Sequence, residues 1–286
     1  MFQKIRIMFA SGFISNLKKS VLYFGASIIG LIVSIFTTPI FARNMSSLDF
    51  SITGYFTSIN GFLFPLYTLH FYSYYIMIYF KQNEEDNKKV LGSIIIFLFG
   101  WNLLFSGIAY LILFGYFRIF SVGFKLWPFV FIIIATSFFR IYSSLLQINY
   151  RVRKKAVSYF ILATALKVLN IFLSIILVAK FNMGATGKLM GILIGEIAIT
   201  LVTLKELRKY MNLEFDYSII KAAFKFSFPL LIGGFAHLLI TNYDRIVLER
   251  INNVTEFALY NIGAAIAGYL LLMGTSIFQA FEPDVY

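Results

Sequence analysis

The chain has 286 residues, 59% of them hydrophobic and only 13% charged, with a mean hydropathy of +0.81. A soluble globular protein of this length would need polar surface that the sequence lacks, so that class is excluded. The net charge of +12 does not point to nucleic acid, because the basic residues fall in short clusters between apolar runs; the absence of cysteine excludes disulfides and thiolate metal sites.

The N-terminus, "MFQKIRIMFASGF", has the outline of a signal peptide, but polar residues break its apolar core and "NLKKS" follows. It reads as an amphipathic cytoplasmic segment, residues 1–19, lying in the interface. Apolar runs of about 20 residues then recur, each long enough to cross a hydrocarbon core about 30 Å thick. They are continuous rather than alternating, which favours helices over an outer-membrane barrel. The pattern predicts an all-α polytopic membrane protein with about eight transmembrane helices, near 20–41, 52–80, 90–114, 126–147, 156–179, 187–204, 226–248 and 257–281. Every loop is short, which leaves no room for a soluble catalytic domain.

Orientation follows from the bases. One set of flanks carries Lys4, Arg6, Lys18 and Lys19, then Lys81, Lys88 and Lys89, then Arg151, Arg153, Lys154 and Lys155, then Lys205, Arg208, Lys209, Lys221 and Lys225. The opposite flanks carry only Arg43, Arg118, Lys125, Lys180, Lys188 and Arg250. The bias places the N-terminus in the cytoplasm. Three bases remain within the spans: Arg140, Lys167 and Arg245.

The first hairpin recurs. "FARNMSSLDF" (Phe41–Phe50) overlies "LERINNVTEF" (Leu248–Phe257) at an offset of 207, with Arg43 on Arg250, Asp49 on Glu256, Phe50 on Phe257 and Lys18 on Lys225. The match joins spans one and two to spans seven and eight in the same orientation. Six helices per repeat is the arrangement of two parallel lobes about an axis along the membrane normal. The expected organisation is one complete six-helix lobe (20–210), a cytoplasmic linker with an amphipathic segment (211–225), and the first two helices of a second, parallel lobe (226–286). On this reading the chain is a fragment of a longer design.

Two stretches carry a family resemblance. "GLIVSIFTTPIFARNMSSLDFSITGYF" and "FSFPLLIGGFAHLLITNYDRIVLERINNVTEFALYNIGAAIAGYLLLMGTSIFQAFEPDVY" resemble the openings of the two lobes of bacterial O-antigen and capsular polysaccharide flippases. These are members of the multidrug/oligosaccharidyl-lipid/polysaccharide exporter superfamily. The resemblance implies a multi-pass protein of the bacterial inner membrane. It would move an undecaprenyl-diphosphate-linked oligosaccharide between leaflets by alternating access, for O-antigen or capsule synthesis. Spans one, two, seven and eight would line a central polar space. A polysaccharide polymerase and other assembly proteins are the implied partners beside membrane lipids, and nucleic acid is not.

Charges at depth are the candidate site, because isolated ones cost about 2.5–3.5 kcal/mol each to insert. Lys167 and Glu196 lie mid-span in five and six, at matching depth, and read either as a structural pair or as a cavity base with a titratable partner. Arg140 either reaches the interface or meets a diphosphate, whose oxygens its guanidinium fork fits. His70 and His237 are either buried neutral imidazoles or proton-coupling groups. The tyrosines around His70 (Tyr67, Tyr72, Tyr74, Tyr75) read as an interfacial belt or as a sugar-stacking surface, with the belt the simpler reading. Asp244 and Arg245 fall on Thr37 and Thr38 under the repeat, so the hairpin folds without charges there. Arg245 is expected to pair with Glu249 at i+4 as a sugar-facing rim, leaving Asp244 to the cavity; the alternative is that the two charges anchor the helix at the membrane edge. Diphosphate-binding candidates are therefore Arg140, Lys167 and Arg245, and cavity or coupling candidates are Glu196, Asp244, His237 and His70.

No nucleotide loop, metal-ligand cluster or nucleophile–base set stands out, so no cofactor and no enzymatic activity are expected, and energy would come from an H+ or Na+ gradient. Two alternatives stay open. One is a cation-coupled multidrug antiporter of the same superfamily, which would favour anionic residues at depth. The other is a membrane-embedded sugar polymerase or glycosyltransferase, which would need a sizeable outer loop.

Overall fold

A computed structural model describes residues 22, 25–120, 122–249 and 254–285. The amphipathic segment 1–19 and the Lys18 and Arg250 positions of the repeat lie outside the described residues. All regular structure among these residues is helical: α1 (Gly25–Asn44), α2 (Ser47–Thr68), α3 (Phe71–Tyr79), α4 (Glu84–Ile119), α5 (Phe129–Val152), α6 (Ala156–Ile175), α7 (Gly184–Leu207), α8 (Tyr217–Leu248) and α9 (Val254–Val285). Six of them, α1, α4, α5, α6, α7 and α8, contain segments long and apolar enough to cross a membrane. The chain is an all-α membrane protein.

The expected second span is two helices, not one. Leu69 and His70 both adopt left-handed backbone (φ 47° and 53°), four residues after Pro65. Such residues cost roughly 1–2 kcal/mol each, and the chain recovers this through the groups freed at the break. Trp101 Nε1 donates to the Leu66 carbonyl at 2.8 Å, and Thr68 Oγ1 donates to the Pro65 carbonyl at 3.1 Å. From α8, Ser227 Oγ donates to the His70 carbonyl at 3.0 Å. Tyr67, Tyr74 and Tyr75 around the break are buried in the core, so the belt reading fails for them. Tyr75 donates to Asn149 Oδ1 at 2.8 Å and Tyr67 bonds Ser106 at 2.8 Å; their hydroxyls found protein partners rather than headgroups.

The most extensive helix packing is in the α5–α6–α7 stack. Gly187, Gly191 and Gly195 repeat every four residues along α7, so they share one face. Methyl groups there would run into Leu177, Ser174 and Asn170 respectively, so glycine is what lets α6 and α7 touch. A π-helical turn, Ile176–Lys180, ends α6.

At the end of the bundle rich in Lys and Arg, Arg153 ties three connections together. It pairs with Glu84 at 2.7 Å, donates to Asn149 Oδ1 at 2.9 Å, and lies over the Tyr79 and Tyr210 rings. Burial alone would lower the Arg153 pKa, but the Glu84 carboxylate and the Tyr79 and Tyr75 side chains together outweigh it and hold the pKa above its usual value. The expected linker 211–225 divides into an extended strap, 211–216, and the first turns of α8. The strap is pinned to α4: Asn212 N donates to the Lys88 carbonyl, and Ser93 Oγ bonds both the Glu214 carbonyl and the Asp216 amide. Asp216 caps α8 through Ser218 and meets Lys89 at 3.2 Å; the Ser218 bonds and then Lys89 bring its pKa down to about 2.

Candidate functional site

Glu196 is the organising group. It is 2% exposed, midway along α7. Its carboxylate accepts from Ser143 Oγ of α5 at 3.4 Å and from Asn170 Nδ2 of α6 at 3.5 Å. Arg140 stands three residues before Ser143, and Lys167 three residues before Asn170. Residues three apart on a helix share a face, so the two bonds to Glu196 also bring Arg140 and Lys167 to the same side of the stack. The charge of Arg140 acts on both Lys167 and Glu196.

The expected Lys167–Glu196 ion pair does not form among the described residues. The carboxylate is taken by neutral partners, and Lys167 lays its alkyl chain against Gly30 of α1. Arg140 lies 5.0 Å above the ring of Phe64 on α2. Both cations are exposed while the one carboxylate among them is buried. The patch can therefore accept an anion: it holds two basic side chains whose nearest acid is bound elsewhere.

A second group forms between α2, α8 and α9. Arg245 does not pair with Glu249. Its guanidinium donates to Ser58 Oγ of α2 and to Asn242 Oδ1, each at 3.3 Å, and its Nε has no hydrogen-bond partner. Glu249 instead accepts from the Gly123 amide at 2.8 Å. The i+4 spacing allowed the Arg–Glu pair, but the loop after α4 supplied a free backbone donor to the acid and α2 a hydroxyl to the base. Asp244 is half-buried, accepting from its neighbour's amide and from the Tyr260 hydroxyl of α9.

His70 sits at the α2–α3 break. Its Nδ1 bonds the Tyr72 hydroxyl at 2.8 Å; its Nε2 is buried against Gly234 of α8 and has no hydrogen-bond partner. His237, three residues further along α8, is exposed. The structure thus gathers the seven predicted residues into three places rather than one. Sequence reasoning missed Ser143 and Asn170, although their spacing from Arg140 and Lys167 was a usable signal. A cleft of about 720 Å³ lined by Arg208 and the strap residues Met211 to Glu214 contains none of the predicted residues.

Against solved structures, the fold matches a MATE multidrug transporter, DinF-BH, in a structure containing R6G, with TM-score 0.65 at 17% identity over 94% of this chain and 63% of the other. A structure described as "protein A" matches with TM-score 0.60 at 16% identity, over 95% of this chain and 63% of the other. No family model matches the sequence, and no curated protein matches it. The chain spans about 63% of the length of either structure. Its fold is similar to that of a MATE multidrug transporter structure.

Proposed function

We propose that this chain forms the larger part of a flippase for an undecaprenyl-diphosphate-linked oligosaccharide, with Arg140 and Lys167 as the groups that hold the diphosphate. The observation that carries the reading is the pair of exposed cations beside a carboxylate already occupied by Ser143 and Asn170. Charge-assisted bonds to phosphate oxygens are among the strongest a protein makes, and two cations match a diphosphate better than a cationic drug. Arg245, with a spare N–H and polar neighbours, suits sugar hydroxyls nearer the other end of the bundle. The basic flanks would face the cytoplasm of a bacterial inner membrane, where the substrate is loaded. Glu196 is the group through which an H+ or Na+ gradient would act, and a polysaccharide polymerase is the partner that would receive the product.

The second reading is a cation-coupled multidrug antiporter. It is favoured by the MATE neighbour and by the buried Glu196, which would carry the coupling ion. Binding separates the two. Purified chain titrated with undecaprenyl diphosphate, undecaprenol and R6G should prefer the diphosphate by tenfold or more over the alcohol, and Arg140→Gln with Lys167→Gln should abolish the preference. Tighter binding of R6G, with the diphosphate no better than the alcohol, would select the antiporter.

A further inference from the structure

The cleft at the Lys- and Arg-rich end of the bundle is lined by one base and one acid, Arg208 and Glu214, with Met211, Asn212 and Leu213. Neighbouring charges are already taken: Lys209 pairs with Glu206 at 2.6 Å, Lys89 with Asp216 at 3.2 Å and Arg153 with Glu84 at 2.7 Å. The Arg208 and Glu214 side chains have neither an ionic nor a hydrogen-bond partner among the described residues. We propose that the cleft holds the headgroup of a zwitterionic phospholipid with a primary ammonium, phosphatidylethanolamine, its phosphate on Arg208 and its ammonium on Glu214. The inference needs only that the chain spans a membrane, and it is independent of the transported substrate.

The place and the build of the cleft suit that ligand. The span in α7 ends at Leu207 and the span in α8 starts at Tyr217, so the strap between them crosses the bundle at headgroup depth. Arg208 directly follows the last turn of α7, and Glu214 rides on a strap whose backbone is fixed. The Glu214 carbonyl accepts from Ser93 Oγ at 3.0 Å, and Asn212 N donates to the Lys88 carbonyl at 3.1 Å. Gly92 of α4 lets the strap lie this close, because a methyl there would run into the Asn212 carbonyl. The strap therefore presents its two free charges from a settled frame. Leu213 and Phe215 alternate along the extended strap, and Tyr217 follows at the start of α8; they are 71%, 52% and 70% exposed, an apolar side for acyl chains beside the charged cleft. Charge then selects the headgroup. An anionic lipid would satisfy Arg208 but set its net charge against Glu214. Phosphatidylcholine carries the same two charges, yet its quaternary ammonium has no N–H to donate. A primary ammonium gives Glu214 charge-assisted hydrogen bonds while the phosphate takes the guanidinium fork.

Native mass spectrometry of the purified chain in detergent, titrated with dioleoyl phosphatidylethanolamine, phosphatidylcholine and phosphatidylglycerol, tests the assignment. Phosphatidylethanolamine should be retained as a single adduct at about a tenth of the concentration the other two need, the gain expected from one charge-assisted bond. Glu214→Gln should bring it to the level of phosphatidylcholine, and Arg208→Gln should weaken its binding about tenfold. Because neither side chain holds the fold, both variants should keep the thermal transition of the parent chain. Lys205→Gln, which removes an exposed base three residues earlier on α7, should leave the lipid preference intact. Tightest binding of phosphatidylglycerol would show a merely basic surface and overturn the proposal. Equal binding of the ethanolamine and choline lipids would overturn it too, as would a preference that survives Glu214→Gln and Arg208→Gln. In each of those cases the diphosphate preference of the Arg140–Lys167 patch is untouched, so the two proposals fail separately.

Discussion

Two helix contacts in this protein are built from small residues, and they differ in what fills them. Where α7 meets α6, three glycines in register bring the helices together, Ser174 Oγ and Asn170 Nδ2 bond across the contact to the Lys188 carbonyl and to Glu196, and Asn170 Oδ1 is left without a partner. Where α2 meets α8 and α9, serines and glycines again bring backbones close, yet the Asn261 amide and the Arg245 Nε are left without partners. An orphaned polar atom is present in each contact, so the difference lies in what the glycines meet: Gly187 and Gly191 set α7 against the backbone of Leu177 and Ser174, whereas Gly54 and Gly61 of α2 meet only the side chains of Asn261 and Asn242. Backbone against backbone leaves nothing that can give, while a side chain can move aside, so the first contact is the rigid joint.

The largest expected effect breaks the rigid joint. Gly191→Leu drives a side chain into the Ser174 backbone and should cost about 3 kcal/mol, read as a collapse of the thermal transition in detergent. Gly61→Ala, on the other contact, meets the Asn242 amide only at ordinary van der Waals distance. It should leave stability unchanged or raise it by about 0.5 kcal/mol, because alanine is the better helix former. A comparable loss at both glycines would dissolve the distinction. Next is Glu196→Ala, which strips Asn170 Nδ2 of its charged acceptor and leaves Ser143 Oγ only the Arg140 carbonyl at 2.9 Å; it should cost about 2 kcal/mol, whereas Glu196→Gln should retain most of that stability. Smaller again is Trp101→Phe, which removes one bond to the Leu66 carbonyl at the helix break and should cost about 1 kcal/mol.

The smallest effect is one of pH. The Asp216 carboxyl is held down at about 2 in the folded chain, by Ser218 first and Lys89 after it, against an ordinary value near 3.8. A depressed acid stabilises the fold above its unfolded pKa and loses that contribution as pH falls towards the folded one. Hydrogen exchange of the 211–216 strap should therefore be level from pH 8 to 5, after correction for intrinsic rates, and loosen only below about pH 4. Asp216→Asn should remove that acid-dependent step.

The spans were legible because hydrocarbon demands long apolar runs, and the runs of α4 to α8 needed only small adjustment at their ends. The break at Leu69–His70 was not. Its stabilising partners, Trp101 and Ser227, are 32 and 158 residues away from Leu69 in sequence, and Pro65 alone does not announce where a helix stops. The buried tyrosines misled for a related reason: tyrosine suits an interface and a polar core equally, and only the fold places Asn149 and Ser106 within reach of the hydroxyls. Charge was the easiest signal to see and the hardest to pair. Depth drew attention to Lys167 and Glu196 together and to Arg140 by itself, but the neutral Ser143 and Asn170 took the carboxylate. Likewise Arg245 and Glu249 had the spacing of a pair, and the Gly123 amide and Ser58 won them instead.

The most direct test of the account is whether Arg140 and Lys167 face a watery, anion-binding surface. Arg140→Cys and Lys167→Cys, each the sole cysteine in its chain, should react in membranes with a hydrophilic maleimide. Undecaprenyl diphosphate should slow both reactions at concentrations where undecaprenol does not. Protection of both positions from the start, or labelling that the diphosphate leaves unchanged, would contradict the assignment of these cations to the substrate.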